Sequence, residues 1–156
     1  MQAVRNRSGP PTVSGSEMAL VGRFHPLIVH FPIALVMVAM WAEGVALATH
    51  DTRWRAVAVI NVRAGALFAF AGAIAGWRLA STLGIDSSPL VQWHRGLGVA
   101  ATVLTAAAAV ATFRTRVGSL RDLWIYRIAL ASAAIAVAAT GHVGGLLVWG
   151  ADFLRP

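Results

Sequence analysis

Residues 24–42 read FHPLIVHFPIALVMVAMWA, and this stretch holds no aspartate, glutamate, lysine or arginine. A helix of this length rises about 28 Å, close to the thickness of the hydrocarbon core of a bilayer. Two further charge-free runs, residues 96–113 and 128–151, are similarly long. A fourth run, residues 64–85, is interrupted only by Arg78, whose long side chain can reach the headgroups. The sequence therefore predicts four transmembrane helices.

Composition supports a membrane location. Apolar residues make up 58% of the 156-residue chain and charged residues only 12%, about half the share found in soluble domains. The net charge of +7 comes from 13 basic residues, all of them arginine, which mostly lie between the apolar runs. There they are placed to contact anionic headgroups, so we expect no nucleic-acid partner. The absence of cysteine excludes disulfides, iron–sulfur clusters and covalently attached haem.

The chain divides into a short polar tail and one membrane domain. Residues 1–22 are predicted to be a flexible tail, and residues 23–156 a four-helix transmembrane domain. The predicted helices cover about 26–49, 64–83, 94–113 and 125–149. Short connections make consecutive helices antiparallel, so the fold class is an all-α, up-down-up-down integral membrane bundle. Gly72 and Gly76 form a GxxxG motif that indicates close helix packing, and a homo-oligomer built on such small-residue faces stays an alternative.

The arginines give a weak orientation signal. We define side A as the end of the bundle with both termini and the loop 84–93, and side B as the end with the other two loops. Side B carries seven arginines and side A six, of which Arg5 and Arg7 lie far from the helices. Positive loops stay in the cytoplasm, which favours side B inside. The predicted location is the bacterial inner membrane, with both termini periplasmic or extracellular.

Four of the five histidines fall on side A. His25 and His30 open the first helix, His94 opens the third, and His142 lies near the end of the fourth. Polar groups inside a membrane are costly and usually face a partner or cavity. A plain interfacial role fits His50, which falls on side B. His25 can also be interfacial, because it directly precedes Pro26 and proline is favoured at the first position of a helix.

Neutral imidazole is a good ligand for iron, copper or zinc. His25 and His30 point about 140° apart on a continuous helix, so they cannot readily share one ion unless Pro32 bends the helix start. A haem held by two histidines needs them on different helices, and either His30 with His94 or His30 with His142 satisfies this. Glycines adjoin both partners, at 96 and 98 and at 141, 144 and 145. Arg23, Arg78 and Arg95 are candidates to receive the propionates.

Four sequence elements together resemble the domain-of-unknown-function 2231 family of predicted bacterial membrane proteins. They are RFHPLIVHFPIAL at 23–35, GAIAGW at 72–77, VQWHRGLG at 91–98 and TGHVGGLLVWGADFL at 140–154. The resemblance covers about residues 22–154 and implies a four-helix protein whose functional histidines are His25, His30, His94 and His142. Some relatives look as if they carry c-type cytochrome domains, which would imply respiratory electron transfer. This chain ends at Pro156 without one, so we expect such a partner to be a separate protein.

Three functions follow as hypotheses. The first is haem b binding by the side-A histidines for membrane electron transfer, with a cytochrome or larger membrane complex as partner. The second is a cofactor-free structural or accessory subunit of a respiratory or photosynthetic complex. The third is transition-metal binding or transport through His30, His94 and His142. No catalytic motif is visible. Glu43 is predicted to pair with a loop arginine such as Arg63 rather than to relay protons.

Overall fold

The computed structural model describes residues 20, 22–85, 87–115 and 119–150. They form four helices, α1 His25–Thr49, α2 Thr52–Leu83, α3 Pro89–Arg114 and α4 Leu120–Trp149. Each helix is long and apolar enough to cross a membrane, which confirms the predicted all-α fold with four spans. The predicted flexible tail lies outside the described residues except for Leu20 and Gly22.

The helices extend past the expected spans, most of all at the start of α2. Only His50 and Asp51 separate α1 from α2. His50 has a left-handed backbone (φ 59°) that ends α1, and the Asp51 carboxylate accepts a hydrogen bond from the backbone N–H of Arg53 (2.8 Å). This cap begins α2 twelve residues before its predicted apolar span. Apolarity marks where the bilayer begins, whereas capping marks where the helix begins, so the arginine-rich residues 52–63 form a helical extension.

Each helix packs against its two neighbours in chain order, and α4 returns to α1. Helices α1 and α3 are therefore diagonal, as are α2 and α4. Small side chains allow close approach: a Cβ at Gly65 would lie 3.1 Å from Val36, and one at Gly72 would lie 3.2 Å from Val29. The GxxxG motif of α2 is thus used within the chain, against α1.

Small side chains fill much of the interior of the bundle and large apolar side chains cover its surface, which is the reverse of a soluble bundle. Alanines such as Ala39, Ala108 and Ala133 are fully buried between the helices. Large apolar side chains face outward, with Leu67 75% and Ile135 72% exposed. In water such an apolar surface would cause aggregation, whereas in a bilayer it is the surface that contacts lipid.

Candidate functional site

The structure brings two of the four side-A histidines together inside the bundle. His25 is the first residue of α1, and His94 lies in the second turn of α3. Their ring centroids are 6.3 Å apart and their planes are nearly perpendicular, at 85°. Because α1 and α3 are diagonal, the two rings meet across the centre of the bundle.

A backbone carbonyl from a third helix orients the first of these rings. The Nδ1 of His25 lies 3.0 Å from the carbonyl oxygen of Gly72 in α2. A carbonyl can only accept, so Nδ1 must carry the proton that is donated. In a neutral ring, Nε2 then keeps its lone pair. Metal-binding histidines are commonly held in this way, with one nitrogen donating to a carbonyl and the other available to the metal.

The second ring has a related environment. The imidazole of His94 lies near the backbone carbonyl of Thr140 in α4. Its Nδ1 is buried and has no hydrogen-bond partner among the described residues. A buried ring nitrogen without a partner is uncommon in proteins and points to a missing ligand or water.

Two glycines make room for the rings. A Cβ added at Gly76 would lie 2.6 Å from Cε1 of His25, and one at Gly144 would lie 3.0 Å from Cε1 of His94. Any side chain at either position would displace a ring. Sequence reasoning connected glycines with their neighbouring histidines along the chain, whereas the glycines that contact the rings lie on the facing helices α2 and α4.

The α1–α2 and α3–α4 hairpins build this site in the same way. In each hairpin the first helix supplies a histidine near its start, and the second supplies a carbonyl and, four residues later, a glycine. Gly72 follows His25 by 47 residues, and Thr140 follows His94 by nearly the same interval. We call each such set a half-site: His25, Gly72 and Gly76 form one, and His94, Thr140 and Gly144 form the other. The two half-sites face each other across the bundle. The nearly equal spacing is the sequence signal that could have identified the pair.

The other two side-A histidines lie on the bundle surface. The side chains of His30 and His142 are exposed. Nδ1 of His30 contacts the carbonyl oxygen of Pro26 in its own helix, and α1 continues through Pro32. Within the described parts of the chain, no group of three or more histidine, aspartate or glutamate side chains could hold a metal ion. The structure therefore presents a histidine pair rather than a four-histidine cluster.

The predicted propionate partners lie at the same end of the bundle. Arg95 follows His94 and is half-buried, with its guanidinium carbon 4.2 Å from the centre of the Trp77 ring. This cation–π contact joins α3 to α2 at the rim of the histidine pair. Arg78 and Arg23 are exposed near the side-A ends of α2 and α1. Three arginines thus lie at the same end of the bundle as the imidazole pair.

A second polar cluster, the side-B ion cluster, consists of Glu43, Arg55 and Arg127. The side chain of Glu43 is only 5% exposed, and its Oε1 lies 2.8 Å from Nε of Arg127 and 3.5 Å from Nε of Arg55. The predicted pairing with an arginine is confirmed, but the named partner was wrong. Arg63 instead donates to the Thr112 hydroxyl (2.9 Å), because α2 aims it towards α3.

Comparison with known families adds one result. The sequence profile of domain of unknown function 2231, described as a predicted membrane protein, matches residues 23–153. The chain belongs to this family. The match covers all four helices and includes His25, Gly76, His94 and Gly144. No curated protein and no solved structure matches the chain.

Proposed function

We propose that this member of the family is a membrane electron-transfer protein that binds haem b between His25 and His94. The observation that carries the proposal is the pair of half-sites, in which two imidazoles from diagonal helices face each other and each lies near a backbone carbonyl. Bound there, haem would supply a one-electron redox centre within the membrane. The chain itself would orient both imidazoles and exclude water from the space between them.

The separation of the rings suits a metal ion held between them. Two imidazoles that bound one metal ion between them, with metal–nitrogen bonds of about 2.0–2.1 Å and ring radii of about 1 Å, would have centroids about 6 Å apart. The measured separation is 6.3 Å.

Haem b rather than a bare ion is favoured by the number and type of ligands. Zinc sites use three or four protein ligands, whereas haem iron in a membrane cytochrome needs only two from the protein. Arg95, Arg78 and Arg23 at the same end would bind the propionates through charge-assisted hydrogen bonds. His30 and His142 would then be lipid-facing or interfacial residues with no part in ligation.

The proposal extends to location and partner. We place the chain in the bacterial inner membrane with side A facing outward, on the basis of the arginine bias. The histidine pair would then lie near the outer surface. A separate cytochrome, or a larger membrane complex, could exchange electrons with it there.

Haem content in a histidine series tests the assignment. The full chain is expressed with each of His25, His30, His94 and His142 replaced by alanine, purified in mild detergent and assayed by pyridine haemochrome. We expect the wild type to carry haem, His25→Ala and His94→Ala to lose it, and His30→Ala and His142→Ala to keep it. Imidazole added to His94→Gly should restore part of the Soret absorbance if the ligand role is real.

Other outcomes would reject this assignment. A wild-type protein that folds as a helical bundle but stays colourless after incubation with haemin would favour the cofactor-free structural role. Loss of haem from His30→Ala or His142→Ala, with retention in the His25 and His94 variants, would place the ligands elsewhere.

A further inference from the structure

Three buried polar atoms at side B have no hydrogen-bond partner among the described residues. They are Oε2 of Glu43, Nε of Arg55 and the hydroxyl oxygen of Tyr126. Tyr126 is fully buried and Glu43 is 4% exposed, so both side chains are shielded from bulk solvent. Buried polar groups in proteins are nearly always paired with the protein or with ordered water, so three unpaired atoms in one region call for a shared partner.

The three atoms come from different helices and lie close together. Nε of Arg55 in α2 lies 3.5 Å from Oε1 of Glu43 in α1, and the unpaired Oε2 belongs to the same carboxylate. The charges of both residues act on the hydroxyl of Tyr126, which approaches from α4. The Tyr126 side chain belongs to one buried cluster with Ala39 of α1 and Val62 of α2, so it points into the bundle. The unpaired atoms therefore meet where α1, α2 and α4 converge.

We propose that this place is a binding site for an internal water molecule. The water accepts hydrogen bonds from the Nε–H of Arg55 and from the Tyr126 hydroxyl, and it donates one to Oε2 of Glu43. About three hydrogen bonds is the usual number for a buried water. Both oxygens of the Glu43 carboxylate are then paired, because Oε1 already accepts from Nε of Arg127 (2.8 Å). The water thereby links α1, α2 and α4 at the end of the bundle opposite the histidine pair.

The chemistry of the three groups selects water over an ion. The Nε–H of Arg55 and the Tyr126 hydroxyl can donate, whereas a carboxylate oxygen of Glu43 can only accept. An anion would pair with both donors but would be repelled by the carboxylate. A cation would be repelled by the guanidinium groups of Arg55 and Arg127. Water can accept from both donors and donate to the carboxylate at the same time.

Water can reach this site from side B. A cleft of about 320 Å³ lies between α1, α2 and α4, and Arg55 and Arg127 both line it. His50 and Asp51, which connect α1 to α2, also line the cleft, so it opens at the end of the bundle. A water molecule that enters here does not cross the apolar part of the bilayer.

Removal of the Tyr126 hydroxyl tests the site by the sign of its effect. Tyr126→Phe keeps the ring and deletes an atom that is either a partner of the water or an unpaired polar group. Loss of a hydrogen bond should lower the melting temperature in detergent by about 2–4 °C. If the hydroxyl is unpaired, its removal should leave the melting temperature unchanged or raise it, which would overturn the proposal. Thr105→Val is the control, because it removes a buried hydroxyl that donates to Ala101 of its own helix (2.7 Å) and should change the melting temperature less.

A crystal structure of the wild-type chain that resolves ordered water identifies the occupant without any variant. We expect a density peak within hydrogen-bonding distance of Oε2 of Glu43, Nε of Arg55 and the Tyr126 hydroxyl. A direct hydrogen bond between Tyr126 and Glu43, or close packing of the three groups with no peak, would overturn the proposal. A peak that exchanges for bromide in a soaked crystal would identify an anion instead, and would also overturn it. Neither measurement depends on haem.

Discussion

At the scale of single residues, the placement of the histidine pair depends on backbone carbonyls and on glycines of the facing helices. His25 is held by the carbonyl of Gly72, His94 lies near the carbonyl of Thr140, and the absence of side chains at Gly76 and Gly144 leaves room for both rings. A glycine in a transmembrane helix often serves helix packing alone. Here the glycine on the facing helix gives each imidazole room to reach the bundle centre, so the glycines determine the site as much as the histidines do.

This dependence predicts the effect of adding one methyl group. Gly76→Ala and Gly144→Ala should each displace a ring and destabilise the fold by about 1–3 kcal/mol, the usual range for overpacking. Gly96→Ala is the control, because a Cβ there meets nothing within 4 Å. Thermal unfolding in detergent measures the difference. Equal melting temperatures for all three variants would contradict the proposed tight fit.

The side-B ion cluster gives a second prediction at this scale. Among the described residues, Arg127→Met leaves the buried Glu43 carboxylate with only the longer contact to Arg55. Breaking a buried ion pair from one side costs about 3–5 kcal/mol. Arg121→Met, at an exposed site in the same helix, should cost less than about 0.5 kcal/mol. Unfolding free energies measured in mixed micelles compare the two, and similar values would show that the buried pair is energetically unimportant.

At the scale of helices, hydrophobicity predicted the four spans but not the helix ends. The charge-free runs located all four helices because the bilayer demands apolar length. The starts of α2, α3 and α4 were all missed, and those of α2 and α4 depend on the Asp51 cap and on the capping box of Ser119 with Asp122. Such local hydrogen bonds operate in the headgroup region, where apolarity gives no signal.

The caps can be tested individually. Asp51→Ala should cost about 0.5–2 kcal/mol and increase amide exchange in the first turn of α2. Ser88→Ala is a matched control, because Ser88 stands at the amino end of α3 without a side-chain capping hydrogen bond. Hydrogen–deuterium exchange by mass spectrometry compares residues 52–56 with 89–93. Unchanged exchange in the Asp51 variant would show that α2 starts independently of its cap.

At the scale of the whole molecule, two similar hairpins face each other and meet at one histidine pair. Sequence reasoning placed four histidines on side A by counting helical turns. It could not select His25 and His94, because that choice depends on the rotation of each helix about its own axis, which the glycine faces of α2 and α4 decide. From sequence alone, His25 could equally be an interfacial residue in water at the start of α1. In the structure its ring lies half-buried against α2.

Orientation is a property of the whole bundle and can be measured directly. The chain has no cysteine, so single cysteines can be introduced without background. In intact cells, a membrane-impermeant maleimide should label Ser87→Cys, in the α2–α3 connection on side A. Thr52→Cys, at the start of α2 on side B, should be labelled only after lysis. The reverse pattern would place the histidine pair towards the cytoplasm.

The central claim is that the two half-sites hold one haem b, and haem content per chain tests it most directly. The measurement is the absorption spectrum of the wild-type chain purified from membranes, with the haem quantified by pyridine haemochrome and the protein by amino-acid analysis. The account predicts a Soret band, a sharp α-band on reduction and about one haem per chain. A folded protein with no Soret band, before or after incubation with haemin, would contradict it.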